Sequence, residues 1–301
     1  MKILRGINRV KKYRKAVVAL GVFDGLHRGH SNILKATVRK ARQIKGTSVV
    51  VTFWPHPQKE ESLYSLPHRV RMFEALGIDI CIIISFNLKF SKISAEDFIE
   101  KILAGKIGAS YIYIGKNYRF GRNASGDYGL LKKVSKIYKF QVRGFSIIKV
   151  ANQDVSSTAI RRFIKQGQLK KSEKLLGRPV SVLGSVIKGS RLGRRLGYPT
   201  ANINPHHEVV PPEGIYAVKV IFENKIYKGI CYIGRKPTMS PKKNKPVIEV
   251  HIFDFYKAIY GKYLEIQFFK LIRPDKKFST IKTLASQIKK DIASCRKILN
   301  P

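Results

Sequence analysis

The chain of 301 residues carries 59 Lys+Arg against 19 Asp+Glu, a formal net charge of +40, yet 44% of its residues are hydrophobic. That much apolar material builds a core and excludes a disordered basic tail, while the charge, spread evenly over both halves, draws polyanions without naming one. Cys81, Cys231 and Cys295 form no Cys-x-x-Cys pair, which argues against a zinc ribbon or disulfide framework and for a reducing compartment.

The N-terminal stretch is basic without an apolar centre or small-residue cleavage site, so it does not read as a secretory signal, and no apolar run approaches the roughly 20 residues of a membrane helix. The expectation is a cytoplasmic protein. From residue 16 onward, continuously apolar runs alternate with helical patterns. AVVALGVF (16–23) leads into a segment with Ile33, Leu34, Val38 and Ala41 at helical spacing. TSVVVTFW (47–54), IDICIIISF (78–86) and ASYIYIG (109–115) follow, separated by HRVRMFEALG and AEDFIEKILAG. Strands apolar on both sides and separated by helices belong to a parallel sheet covered on both faces, so the first domain reads as doubly wound α/β.

After Ser156 come two helical stretches ending at Gly177-Arg178-Pro179. Short β-type runs then dominate at 180–187, 214–222, 225–234, 246–255 and 262–272, the pattern of an antiparallel barrel or sandwich, with an amphipathic helix at the end of the chain.

Two constellations carry chemistry. The first runs from Gly21 through Phe23, Asp24, His27 and Gly29 to His30, at the end of a strand and the start of a helix. Glycines let a backbone approach a ligand, the helix N-terminus offers free N–H groups, and two imidazoles three residues apart donate to phosphate oxygens as negative charge develops. A metal pair would need a further ligand nearby, and the sequence supplies none. The second constellation runs from Gly184, Lys188 and Gly189 through Gly197 to Pro199-Thr200-Ala201-Asn202. Its plainer reading is a Pro-Thr turn with a capping Asn.

His27-Arg28-Gly29-His30 resembles the HxGH signature of the nucleotidyltransferase superfamily, and Val155-Ser156-Ser157-Thr158-Ala159-Ile160-Arg161 resembles its ISSTxxR partner. Thr52 to Pro57, Gly115 to Gly121, Gly126-Asp127 and Arg69 resemble segments of the adenylyltransferase domain of bacterial bifunctional riboflavin kinase/FAD synthetases. The region 184–202, Gly229 to Thr238, Glu249 to Phe255, Tyr260-Gly261, Arg273 and Phe278 are similar to the riboflavin kinase domain of the same family.

The resemblance implies a Rossmann-like nucleotidyltransferase domain over 1–176 and an antiparallel β-barrel kinase domain with a terminal helix over 177–301. It implies riboflavin, FMN and ATP as substrates and Mg²⁺ as cofactor. His27, His30 and Arg161 are then catalytic in the first domain, and Glu249 is the general base of the second. Gly21, Phe23, Asp24, Gly29, Ser156, Ser157 and Thr158 bind one nucleotide; Gly184, Lys188, Gly189 and Gly197 bind the other. Asn117, Phe120 and Arg273 contact flavin, and Thr200 and Asn202 hold the metal. Val22, Trp54, Tyr198 and Tyr232 depart from the residues common in the family at their positions, none of them a proposed catalytic group. Two other readings stay open: a chain in which one of the two activities is lost, and a nucleic-acid-binding protein acting through its charge. For the latter the sequence offers no localising motif, so only weak non-specific binding is expected.

Overall fold

The computed structural model describes residues 1–55, 61–189, 192–235 and 246–300. Packing divides the chain into two units, Met1–Ser62 with Leu66–Ser157, and Leu63–Ser65 with Thr158–Pro301.

The first unit is built on a parallel sheet of six strands in the order β1-β4-β3-β2-β5-β6. They are β1 (Lys2–Arg5), β2 (Ala16–Leu20), β3 (Ser48–Trp54), β4 (Ile80–Ser85), β5 (Ala109–Gly115) and β6 (Gln141–Phe145). The central strands β2, β3 and β4 are buried almost throughout because both faces are covered. Val18, Leu20, Val49, Val51, Ile82 and Ile112 pack on one side with Phe98, Ile102 and Phe120. Val17, Ala19, Val50, Cys81 and Ile83 pack on the other, against α1 (Arg28–Gln43) and α2 (Leu66–Ala75) through Leu34, Val38 and Phe73. Alternate residues of one strand thus feed two cores, as a period of two requires. The edge strands β1 and β6 lie outside the expected pattern. They are short, and β6 is polar and partly exposed, so neither carries a strong apolar signal.

The second unit is a closed antiparallel barrel ordered β10-β13-β12-β11-β14-β9, which settles the choice between barrel and sandwich. After a two-stranded ribbon, β7 (Lys149–Val150) with β8 (Gln153–Asp154), the barrel strands are β9 (Val180–Ile187), β10 (Ala201–Asn204), β11 (Gly214–Phe222), β12 (Lys225–Arg235), β13 (Pro246–Ile252) and β14 (Tyr263–Arg273). Closure pairs β9 with β10 and removes the open edges that a six-stranded sheet would expose. The terminal helix Ile281–Leu299 begins with a reciprocal Thr280–Thr283 cap and seats Cys295 and Leu299 on Ala217 and Phe253. No helix of the described residues is long and apolar enough to cross a membrane.

Candidate active sites in the two units

In the first unit, β2 ends at Leu20 and the chain turns through Gly21, Val22, Phe23, Asp24 and Gly25 into α1. The turn is tight: Phe23, Gly25 and Leu26 all have positive φ, at 54°, 75° and 39°. A Cβ on Gly21 would lie 3.1 Å from the Phe23 ring, and one on Gly29 would lie 3.2 Å from the His27 ring. His27 caps α1, its Nδ1 accepting the His30 backbone N–H at 3.3 Å. An accepting Nδ1 puts the proton of the neutral ring on Nε2, which makes His27 a donor on its far side. The His27 and His30 rings stack with centroids 3.6 Å apart, and Phe23 meets His30 edge-on at 5.4 Å.

Neighbouring segments hold this turn from below. Thr52 Oγ1 and Arg69 Nη1 donate to the Val22 carbonyl at 2.8 and 2.6 Å, and Ser31 Oγ donates to that of Leu26 at 3.0 Å. Ser157 Oγ donates to the Asp24 carbonyl at 2.8 Å, joining the start of the second motif to the first across 133 residues of sequence. Arg69 is only 1% exposed. Its sequence position pointed to a family match, but only the fold shows that it braces backbone carbonyls.

The loop after β5 presents Asn117 on the surface, with Gly115 leaving space beside its Oδ1. Phe120 is buried. Its backbone exchanges hydrogen bonds with Gly126 at 2.9 and 2.8 Å, and its buried ring packs on Phe98, in space that a Cβ on Gly126 would fill. Asp127 pairs with Arg119 and caps the helix Tyr128–Val134 through the Leu130 N–H at 2.9 Å. The Trp54–Pro55 peptide bond is cis. His56 and Pro57 lie outside the described residues, as do Lys236 to Thr238.

Ser157, the last residue of the first unit, opens a helix that runs to Lys165, with Thr158 exposed, Arg161 half-buried one turn in, and Ile160 and Ile164 buried. In the barrel, strand register sets the second constellation. Asn202 on β10 lies opposite Glu249 on β13, and Glu249 lies opposite Tyr232 on β12. Directly opposed residues share a face, so Asn202, Glu249 and Tyr232 form one row, with Cys231, Ile248 and Val250 pointing inward. Thr200 Oγ1 lies 3.3 Å from Glu249 Oε2. Gly189 is the cradle for Asn202: a Cβ there would lie 2.1 Å from its Nδ2. Gly184 is needed for close packing as well, since its Cβ would meet Ile203 Cγ2 at 2.2 Å. Gly197, at φ 84°, turns the chain toward Tyr198, and Lys188 is exposed. A cavity of about 300 Å³ lies next to Thr200, lined also by Arg194, Phe255, Tyr256, Lys257 and Tyr260 among others.

The Tyr232 hydroxyl donates to Asp275 at 3.2 Å, and burial, then the Asp275 and Glu249 charges, push its pKa up to about 12. Burial likewise raises Cys231 well above the usual thiol range, with Glu249 adding to the effect. Arg273 is engaged by Asp291: Nε meets both carboxylate oxygens at 3.1 Å and Nη2 meets Oδ2 at 2.8 Å. Asp291 lies in the terminal helix, 18 residues along the chain from Arg273, and no local motif links the two.

The family model for FAD synthetase matches residues 9–159, and that for riboflavin kinase matches residues 176–299. The bifunctional riboflavin kinase/FMN adenylyltransferase of Buchnera aphidicola subsp. Schizaphis graminum is 37% identical over 310 residues, covering 100% of this chain and 99% of that one. The chain belongs to this bifunctional family. The family's member from Bacillus subtilis is 34% identical, over 92% of this chain and 90% of its own. A crystal structure described as a macrolide-efflux protein from Streptococcus pneumoniae shares the fold over 98% of this chain and 99% of that one, with TM-score 0.84 and 27% identity. In this bifunctional family member both constellations are thus present, each inside the stretch matched by its own family model.

Proposed function

We propose that the chain phosphorylates riboflavin with ATP to give FMN and ADP, and adenylylates FMN with a second ATP to give FAD and pyrophosphate. The observation that carries this reading is the match of both family models in order along one chain, each enclosing a site of suitable chemistry. The domains assigned to the two activities are 1–176 and 177–301, a division that differs from the packing units, where Thr158 onward goes with the barrel.

In the adenylyltransferase site, the donors of His27 and His30, with the backbone of Gly21, Phe23, Asp24 and Gly29, stabilise charge developing on the attacked phosphate. Ser156, Ser157 and Thr158 open a helix that adds hydroxyl and N–H donors, and Arg161 grips phosphate oxygens bidentately. Asn117 and Phe120 contact the flavin, Phe120 from within the loop that it also shapes.

In the kinase site, Glu249 takes the proton from the ribityl 5′-hydroxyl as that oxygen attacks the γ-phosphate. Thr200 and Asn202 present hard oxygen ligands beside a carboxylate, a donor set that fits Mg²⁺ held mainly by nucleotide phosphates and water. When bound, Mg²⁺ neutralises phosphate charge. Gly184, Lys188, Gly189 and Gly197 cover the nucleotide, for which the cavity next to Thr200 is the receptacle, and Arg273 acts on the flavin side through the segment it fixes with Asp291. A cytoplasmic location is supported by three free, buried thiols.

Chromatography of products after incubation with riboflavin, ATP and Mg²⁺ tests both reactions at once. FMN and FAD together are the expected outcome. FMN alone, or FAD formed only from supplied FMN, would reduce the proposal to one activity.

A further inference from the structure

We infer that His251 is a positioning residue for phosphoryl transfer, holding the Pro199 carbonyl so that Thr200 stays against Glu249. The inference rests on the kinase reading of the barrel.

Its basis is where the β10 ladder stops. Pairing between β10 and β13 runs from Ile203 with Ile248 through Asn202 with Glu249 to Ala201 with Val250, and strand β10 begins at Ala201. One step further would set Thr200 opposite His251, but the chain there leaves the ladder, and Pro199 has no N–H to join one. A side chain takes over. His251 Nδ1 lies 2.8 Å from the Pro199 carbonyl oxygen. A carbonyl only accepts, so Nδ1 carries the proton and the tautomer is set.

Two aromatic edges hold the imidazole in that orientation. Tyr198 meets it at 5.8 Å and 84°, and Phe253 at 5.7 Å and 63°. On the other side of Thr200, the preceding loop is closed by the Tyr198 N–H donating to the Gly193 carbonyl at 2.8 Å. A Cβ on Gly193 would come within 3.2 Å of the Thr200 side chain. Thr200 is therefore bracketed by the Gly193 turn and by His251. Removing the His251 donor frees one side of the bracket, two residues along the same strand face from the proposed base.

The test uses three variants of the full chain. His251→Phe keeps a ring between Tyr198 and Phe253 without a donor, His251→Ala removes both, and His251→Asn places an amide N–H near the original Nδ1. In the Phe and Ala variants kcat for riboflavin phosphorylation should fall about 10- to 100-fold with KM for riboflavin within about twofold, and Asn should restore kcat to within about threefold. FMN adenylylation should be unchanged in all three. Hydrogen exchange at the Thr200, Ala201 and Asn202 amides should quicken in His251→Phe and return to the parent rate in His251→Asn. Parent kcat and exchange in His251→Phe would overturn the inference, as would His251→Asn as impaired as His251→Phe, or a loss carried wholly by KM. If the parent chain makes no FMN from riboflavin, the kinase reading fails separately, and the exchange pattern alone decides whether His251 holds the 199–202 backbone.

Discussion

Replacing Glu249 by Gln isolates one proton. The amide has the shape of the carboxylate and keeps an oxygen that accepts from Thr200 Oγ1, now 3.3 Å from Oε2. It cannot take a proton from a sugar hydroxyl at neutral pH. A positioned general base contributes about 10²- to 10⁴-fold, so kcat for FMN formation should fall by that factor, about 2.7 to 5.4 kcal/mol of transition-state stabilisation. Fold stability should move little, because a partly exposed hydrogen bond of this length is worth under about 1 kcal/mol and the amide retains it. The assay follows ADP release with riboflavin as acceptor, and in parallel FMN-dependent pyrophosphate release, which should be unaffected because Glu249 has no part in the proposed adenylylation chemistry. If Glu249→Gln forms FMN at half the parent rate or better, Glu249 is not the base, and its role is confined to holding Thr200.

Other substitutions probe the remaining geometry. Gly189→Ala puts a Cβ 2.1 Å from Asn202 Nδ2, so kinase activity should fall about tenfold or more through displacement of the Asn202 amide, with adenylylation intact in the same preparation. His27→Asn preserves an acceptor for the His30 N–H and removes the imidazole. FAD formation should drop about 10²- to 10³-fold without loss of thermal stability, whereas His27→Ala should lower stability as well, by about 1 kcal/mol of lost cap. Asp291→Ala leaves the Arg273 guanidinium without its carboxylate partner in a site where Asp291 is 3% exposed, and should cost about 3 kcal/mol, read as a lower Tm for the barrel; an unchanged Tm would show that the pair contributes nothing. Raising salt from low to physiological strength should weaken binding of ATP and FMN to both sites, since the +40 surface attracts anions by a screened field.

The charge that opens the sequence therefore has a modest role. A charge of +40 made nucleic acid an obvious candidate, but the chain folds into two local clusters of polar side chains: two imidazoles at a helix start, and a Thr–Asn–Glu row on a barrel wall. The even distribution of cations over both halves fits a general surface bias better than a tract that grips a polymer.

What the sequence determined by itself is whatever depends on neighbours along the chain. Continuously apolar strands fixed the parallel sheet, and the strand–glycine–helix order fixed a tight, capped turn, because capping and backbone N–H groups come from consecutive residues. The tertiary structure decided everything that depends on register or on distant segments. The packing of Phe120 on Phe98 and the pairing of Arg273 with Asp291 join residues far apart in the sequence. Arg69 and Ser157 reach the first turn only through the fold. The alignment of Asn202, Glu249 and Tyr232 across three strands, and the bond from His251 to Pro199, follow from the pairing of β13 with β10 and β12. No local pattern encodes such a row, because a shift of one residue in any of the pairings would send that strand's side chains to the opposite face of the barrel.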